Sequence, residues 1–227
     1  MKWKIHHRAE TASTNLDARG GKPGDVFTAG YQSAGRGRLD HKWLSPPGVS
    51  LLMSAVLDVG GLSAERIATL PLAVGLATLE ALSRYAPDLS LKWPNDILRS
   101  GRKLAGILCE LCGSNAIAGI GVNVKSWDWP ARISAAALDG PSADETRDAI
   151  LDCLAEVCEI WREGGISPLM GRIAACDALK GKRIEVMRVD GDPAPFSGVA
   201  EGIAEDGALM VSGEKVYAGE VHLGTIG

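Results

Sequence analysis

The chain has 227 residues, with 24 Lys and Arg against 28 Asp and Glu, for a formal net charge of −4. Folding at this size buries about 70% of the unfolded surface, so neither metals nor disulfides are needed to hold a core. The absence of any block of like charge argues against a broad basic face for nucleic acid. No apolar run is long enough to cross a bilayer, and the polar segment Met1 to Glu10 lacks the apolar middle of a signal peptide. Five cysteines, an odd number set in apolar segments, fit reduced thiols in a cytoplasm.

Glycine and proline divide the chain into short strands and helices. Met1 to Ala9 reads as a strand, and Ser13 as an N-cap or loop serine opening the turn Ser13-Thr14-Asn15. Val26 to Gln32 is a strand, and Val49 to Leu57 is a buried one after a glycine-rich, basic loop. Leu70, Val74, Ala77 and Ala81 predict a helix over 63–85, with Pro71 forcing a kink or a late start. Leu89 to Trp93, Ile97 to Leu98, Leu104 to Cys112 and Ala116 to Val122 follow as strands. Ala143 to Arg162 reads as a second helix, with Trp161 on its apolar side. After Cys176 come short strands at Arg183 to Val189, Ser197 to Ile203, Ala208 to Ser212, Lys215 to Tyr217 and Val221 to Leu223. They are joined by turns such as Asp190-Gly191-Asp192 and suggest a small, separate β-barrel beginning near Ala178.

Several segments carry chemistry. In Gly35-Arg36-Gly37-Arg38 two guanidinium groups can meet phosphate or carboxylate oxygens while the glycines allow close backbone approach. Such a loop is expected to order on an anion; taken alone it also reads as a solvated basic loop. Lys92-Trp93-Pro94-Asn95-Asp96 places a lysine, an amide and a carboxylate at a strand edge. Lysine can meet a phosphate, asparagine an adenine edge, and aspartate a metal or the lysine itself; a turn with a structural Lys–Asp pair is the other reading. Lys103 stands at the mouth of a strand in which Gly106 permits close approach, and Gly119-Ile120-Gly121-Val122-Asn123 repeats that pattern.

These motifs, in this order over about residues 10–125, make the chain resemble the biotin protein ligases. Trp43, Ser45-Pro46, Gln32 and the later Gly219-Glu220-Val221 belong to the match. Ser-Thr-Asn begins only 13 residues in, so a ligase-only form without the family's DNA-binding helix-turn-helix is expected. The resemblance implies an α+β fold, with a mixed-sheet catalytic domain of the class II aminoacyl-tRNA-synthetase-like, biotin–lipoate ligase type. That domain would span 1–177, followed by a C-terminal SH3-like barrel over 178–227.

The activity it implies is formation of biotinyl-5′-AMP from biotin and ATP, then transfer of biotin to a lysine of a biotin carboxyl carrier protein. By similarity Lys103, Arg38 and Lys92 are catalytic, with Lys103 bridging carboxylate and α-phosphate. Biotin would be held by Ser13, Thr14, Asn15, Gln32, Arg36, Gly37, Arg38, Trp43, Lys103 and Gly106. Nucleotide would meet Gly35, Arg36, Arg38, Lys92, Asn95, Lys103 and Asn123, with Mg²⁺ on pyrophosphate and Asp96 as its protein ligand. The implied partners are biotin, ATP and a carboxylase carrier domain, with a homodimer open and neither DNA nor membrane. Two rivals stand beside this reading: a lipoate or octanoate ligase, and a non-catalytic biotin-binding or sensing protein.

Two departures from the family pattern stand out. Leu39-Asp40-His41 puts an acid beside the arginine loop, which should speed loss of the adenylate, and Gly224 takes a position that is often basic. Cys109 and Cys112 form a C-x-x-C pair, but residues three apart on a strand face opposite ways, so buried thiols are expected rather than a metal site. His6, His7, His41 and His222 have no metal-site spacing. Trp127 and Trp129 are expected to pack a loop onto the core, with a carrier-protein contact as the other reading, and Glu110 either orients a cation or makes a structural ion pair.

Overall fold

The computed structural model describes residues 2–39, 41–131, 133–188 and 195–223. Two sheets organise it. The first has seven strands: β1 (Lys4–Thr11), β2 (Asp25–Gln32), β3 (Ser50–Asp58), β4 (Leu89–Lys92), β5 (Asp96–Arg99), β6 (Arg102–Cys112) and β7 (Asn115–Asn123). Their spatial order is β1-β2-β3-β7-β6-β5-β4, with β1 and β2 parallel and the other neighbours antiparallel.

Strand alternation divides the work of this sheet between its faces. On β3, Leu51, Met53, Ala55 and Leu57 enter the main core, whereas Leu52, Ser54 and Val56 point the other way. On β7, Ala116, Ala118, Ile120 and Val122 join the core, leaving Gly119, Gly121 and Asn123 in a row on the opposite face. The core face is covered by helices α3 (Leu70–Leu82) and α4 (Ala143–Gly164). Every residue of α3 except Pro71 and Glu80 is buried, as befits a helix enclosed on nearly all sides. In α4 only one stripe is buried, and Ser142 and Glu145 close its start with a capping box.

The helix expected over 63–85 is two helices. α2 (Ala64–Ala68) ends at Thr69, whose hydroxyl bonds back to Arg66 O, and α3 starts with Pro71 in its first turn, where no N–H is needed. Sequence patterning did not resolve three short pieces: α1 (Thr14–Ala18), a 3₁₀ turn at Ser167–Leu169, and α5 (Met170–Cys176). Each is too short to show a helical period.

The second sheet comprises β8 (Arg183–Arg188), β9 (Phe196–Ile203), β10 (Leu209–Val211), β11 (Glu214–Val216) and β12 (Gly219–Leu223), in the order β11-β10-β9-β8-β12. The expected turn Asp190-Gly191-Asp192 and Val189 lie outside the described residues. The two sheets are not packed as separate bodies, because Ile184, Val186, Ala200, Leu209 and Val221 belong to the same apolar cluster as α3 and α4. Trp93 ties them directly: its buried indole donates to Gly207 O at 2.9 Å. Among the described residues no helix is long and apolar enough to cross a membrane.

Candidate active site

A cleft of about 540 Å³ opens on the face of the seven-stranded sheet away from α3 and α4, and β12 reaches in from the second sheet. Its inner end is polar. Ser13 precedes α1 in an extended conformation, is buried, and makes no capping bond. Thr14 donates its backbone N–H to Gln32 Oε1 at 2.7 Å. Asn15 donates its amide to Glu110 Oε2 at 2.7 Å and to Leu108 O at 3.3 Å, while its Oδ1 accepts from the fully buried Ser54 at 2.6 Å. Gly119 makes this possible, since a Cβ there would stand 2.2 Å from Asn15 Oδ1.

The arginine loop is folded over the cleft by its own backbone bonds, Gly37 N–H to His41 O and Trp43 N–H to Gly35 O. Gly35 must lack a side chain, as its Cβ would lie 2.7 Å from Trp43 O. The loop's two guanidinium groups diverge. Arg36 pairs with Glu110 at 3.2 Å, so Glu110 joins the polar end to the loop and also receives Arg19 at 3.4 Å. Arg38 turns inward, to Asn95 Oδ1 at 3.4 Å and Gly219 O at 3.5 Å. His41 contacts Glu220, a second tie between loop and β12.

Trp43 forms one wall. Its indole lies on the facing glycines Gly106 and Gly121, where added Cβ atoms would come within 3.2 and 2.8 Å of the ring. Gly106 lines the cleft beneath the edge of this ring. Leu52, Ile107 and Leu108 supply further apolar lining, and the Trp43 N–H is buried with no partner among the described residues.

Lys103 ion-pairs with Asp96 at 2.7 Å, its ammonium 6.0 Å from the centre of the Trp43 ring. Lys92 sits beside them, and burial pushes its ammonium below the usual lysine range; the nearby Lys103 adds to the shift and Asp96 opposes it. Arg38 is likewise lowered by burial and supported by the Asp96 and Glu220 carboxylates. Cations therefore outnumber carboxylates in the middle of the cleft, an arrangement that favours an anionic ligand.

Three other candidates line the cleft with partners of their own. Asn123 is buried and donates its amide to Ala136 O and Lys103 O. Asn95 donates to Ile107 O at 2.8 Å and likewise serves Arg38 from behind. Asp96, the candidate protein ligand for Mg²⁺, has its carboxylate beside Lys103 at 2.7 Å, and one carboxylate is enough where substrate phosphates supply the other oxygens.

Asp40 and Gly224 lie outside the described residues. The cysteines are free thiols, with Cys109 and Cys158 raised by burial. Trp129 lines the cleft mouth with Ile133 and Ala135, and Trp127 stands 5.6 Å from it, centre to centre. Sequence patterning passed over Ser54, while the i, i+2, i+4 spacing of Gly119, Gly121 and Asn123 places all three on one shared face.

The profile of the Biotin/lipoate A/B protein ligase family matches residues 7–126, just over half the chain and the whole cleft floor. The chain belongs to this family. Among its members, the biotin–[acetyl-CoA-carboxylase] ligase of Paracoccus denitrificans is 34% identical over 95% of this chain and 99% of that protein. The bifunctional ligase/repressor BirA of Escherichia coli K12 is 30% identical, over 89% of this chain and 67% of its own length. Among solved structures, the biotin protein ligase from Aquifex aeolicus in complex with biotin and ATP superposes with a TM-score of 0.83. It is 27% identical over 96% of this chain and 97% of that one.

Proposed function

We propose that this chain is an ATP-dependent biotin protein ligase, which joins biotin to AMP and passes it to a lysine of a biotin carboxyl carrier domain. The observation that carries the reading is the order of chemistry along one cleft. An acceptor-rich polar end leads through an apolar slot walled by Trp43 to a cation cluster around Lys103, and then to an aromatic mouth at Trp129. Biotin has the matching order of a ureido ring, an alkyl chain and a carboxylate, and the adenine of ATP would complete it against Trp129.

In the first step a carboxylate oxygen attacks the α-phosphorus, a new O–P bond forms, the bond to the β-phosphate breaks, and pyrophosphate leaves. Two anions must meet, so the site has to supply positive charge where charge develops. Lys103 is assigned to bridge carboxylate and α-phosphate, leaving Asp96 to do so, with Arg38 and Lys92 holding the phosphates. Arg36 reaches the ligand by exchanging Glu110 for it, and the Gly35 and Gly37 backbone lets the loop close. Ser13, Thr14 and Gln32 take the ureido ring, with Asn15 bracing them. Asp96, released by Lys103, would help hold a Mg²⁺ ion, which would supply positive charge to the departing pyrophosphate. In the second step the neutral amine of the carrier lysine attacks the acyl carbon, AMP leaves, and the amine's proton passes to solvent.

The segment from 178 to the end, read as an SH3-like unit, contributes Gly219 and Glu220 as anchors for the loop. Five free thiols fit a cytoplasmic setting. The reading is tested by incubating the protein with ATP, biotin and an unmodified carrier domain, and weighing the carrier. A gain of one biotinyl group on a single lysine supports it. A lipoyl or octanoyl gain from those acids, with none from biotin, would assign the chain to the other branch of the family.

A further inference from the structure

Beneath the polar end of the cleft, four oxygens stand in a row: Asn15 Oδ1, Ser54 Oγ, Thr14 Oγ1 and Gln32 Oε1. Their successive separations are 2.6, 2.7 and 3.0 Å. Both amides are fixed in orientation by their other partners. Asn15 uses its NH₂ on Glu110 and Leu108 O, and Gln32 Oε1 accepts the Thr14 backbone N–H. Neither terminal oxygen therefore carries a hydrogen. Only the two hydroxyls do, each with one. Three close contacts thus share two hydrogens.

The missing hydrogen can be located. The contact between Ser54 and Asn15 is the shortest, and without a hydrogen it would press two acceptors together at 2.6 Å, so it takes the Ser54 hydrogen, which Asn15 Oδ1 cannot supply. Thr14 must then point its hydrogen either at Ser54 or at Gln32. Pointing it at Gln32 would leave the oxygens of Ser54 and Thr14 facing each other 2.7 Å apart, under a residue with no solvent exposure. Pointing it at Ser54 leaves the hydrogen-free contact between Thr14 Oγ1 and Gln32 Oε1. This is the longest of the three, and both of its residues line the cleft. Two lone-pair-bearing oxygens then face the ligand side by side.

We propose that Ser54, which does not itself line the cleft, is a positioning residue that holds the Thr14 hydroxyl turned inward, so that the polar end accepts only a ligand head group bearing an N–H donor. A cyclic urea or amide supplies that hydrogen. A dithiolane or a plain alkyl tail, the head groups of lipoate and octanoate, does not, and would leave the paired acceptors buried and unsatisfied. Such a mismatch discriminates far more strongly than a difference in size. The inference rests on the proposed function, since it explains how the same end of the cleft chooses between the family's two kinds of acid.

The test is Ser54→Ala, in which Thr14 is free to turn its hydrogen to Gln32 and cover the acceptors. Calorimetric binding of biotin should weaken by about tenfold or more. The rate of adenylate formation at saturating biotin, the KM for ATP and the Lys103-dependent chemistry should stay as in the wild type. Thr14→Val guards against misfolding of a single variant. Adding Ser54→Ala to Thr14→Val should weaken biotin binding by clearly less than Ser54→Ala does in the wild type, the remainder being the Ser54–Asn15 bond. If Ser54→Ala binds biotin as the wild type does, or if the two substitutions add independently, the inference fails while the ligase reading stands. If the wild type itself binds no biotin, the ligase reading fails first.

Discussion

Lys103 Nζ and Asp96 Oδ1 face each other at 2.7 Å where the β5–β6 pairing shifts register, so the cleft's central cation is already neutralised before any substrate arrives. The pair keeps Lys103 extended along the route between polar end and mouth. Phosphate and carboxylate oxygens then compete with a single aspartate for it, and the ammonium is aimed before the reaction begins. Replacing Lys103 with alanine should leave the fold intact and slow adenylate formation on the order of a hundredfold, the scale for losing one preorganised charge donor. Single-turnover formation of the adenylate measures this directly; a near-normal rate would remove Lys103 from the chemistry.

Arg38 bonds to Asn95 and to Gly219 O, joining the loop, the β4–β5 turn and the second sheet above the cleft. Arg38→Gly removes both bonds. The expected result is early release of a reactive adenylate, seen as biotin on lysines of bystander proteins such as serum albumin. Labelling confined to carrier domains would show that retention resides elsewhere.

Gly119 and Gly121 share a face but guard different things. A methyl at Gly119 would overlap the buried Asn15 amide at 2.2 Å, whereas one at Gly121 would press on the Trp43 ring at 2.8 Å. Gly119→Ala should therefore cost about 1–3 kcal/mol of stability and most biotin affinity, as overpacking against fixed polar groups does. Gly121→Ala should keep its unfolding midpoint and raise the KM for biotin, because an indole at the cleft wall can tilt. Thermal melts alongside biotin titrations separate the two; equal loss of stability in both would contradict this division.

Much of this was readable from the chain itself. Periodicity located the strands because β3, β6 and β7 bury one face against α3 and α4 and keep a run of apolar residues there. The motif residues converge because turns and strand ends deliver them to one side of one sheet. Less was readable where a residue's partner is distant in sequence. Asn123 looks like a free amide until the loop carrying Ala136 folds over it, and the indole beside Gly106 and Gly121 comes from another loop. Ser54 resembled any serine in a buried strand; only its contacts with Thr14 and Asn15, about forty residues away, mark it. The break at Thr69 was half visible, since Pro71 announced a late start but not a separate first helix.

Burial holds Lys92 below the ordinary lysine range, and the sign of the consequence follows. Between that lowered value and the unfolded one, the unfolded chain carries a proton that the native chain lacks. Stability from this group therefore rises with pH across that window, and below it the buried charge is a standing cost. ATP phosphates favour the charged form, so the KM for ATP should rise as pH climbs through the lowered value. Lys92→Arg should move that rise to higher pH. An unchanged profile would take Lys92 out of phosphate binding.

Cys158 is pushed up to about 12 by burial, and Cys109 is raised by burial as well. Thiolate is the reactive form, so both should resist iodoacetamide at neutral pH in the native protein and react readily in denaturant. Peptide mapping after brief alkylation checks this. Rapid native labelling of either would mean that the helix-covered face of the sheet opens in solution.

The central claim is that this cleft activates a carboxylate with ATP, and biotin-dependent exchange of labelled pyrophosphate into ATP tests it without any carrier protein. Wild type should exchange with biotin and not with lipoate or octanoate, and Lys103→Ala should lose nearly all of that exchange. Exchange driven by lipoate or octanoate, or calorimetric binding of biotin with no exchange at all, would contradict the account.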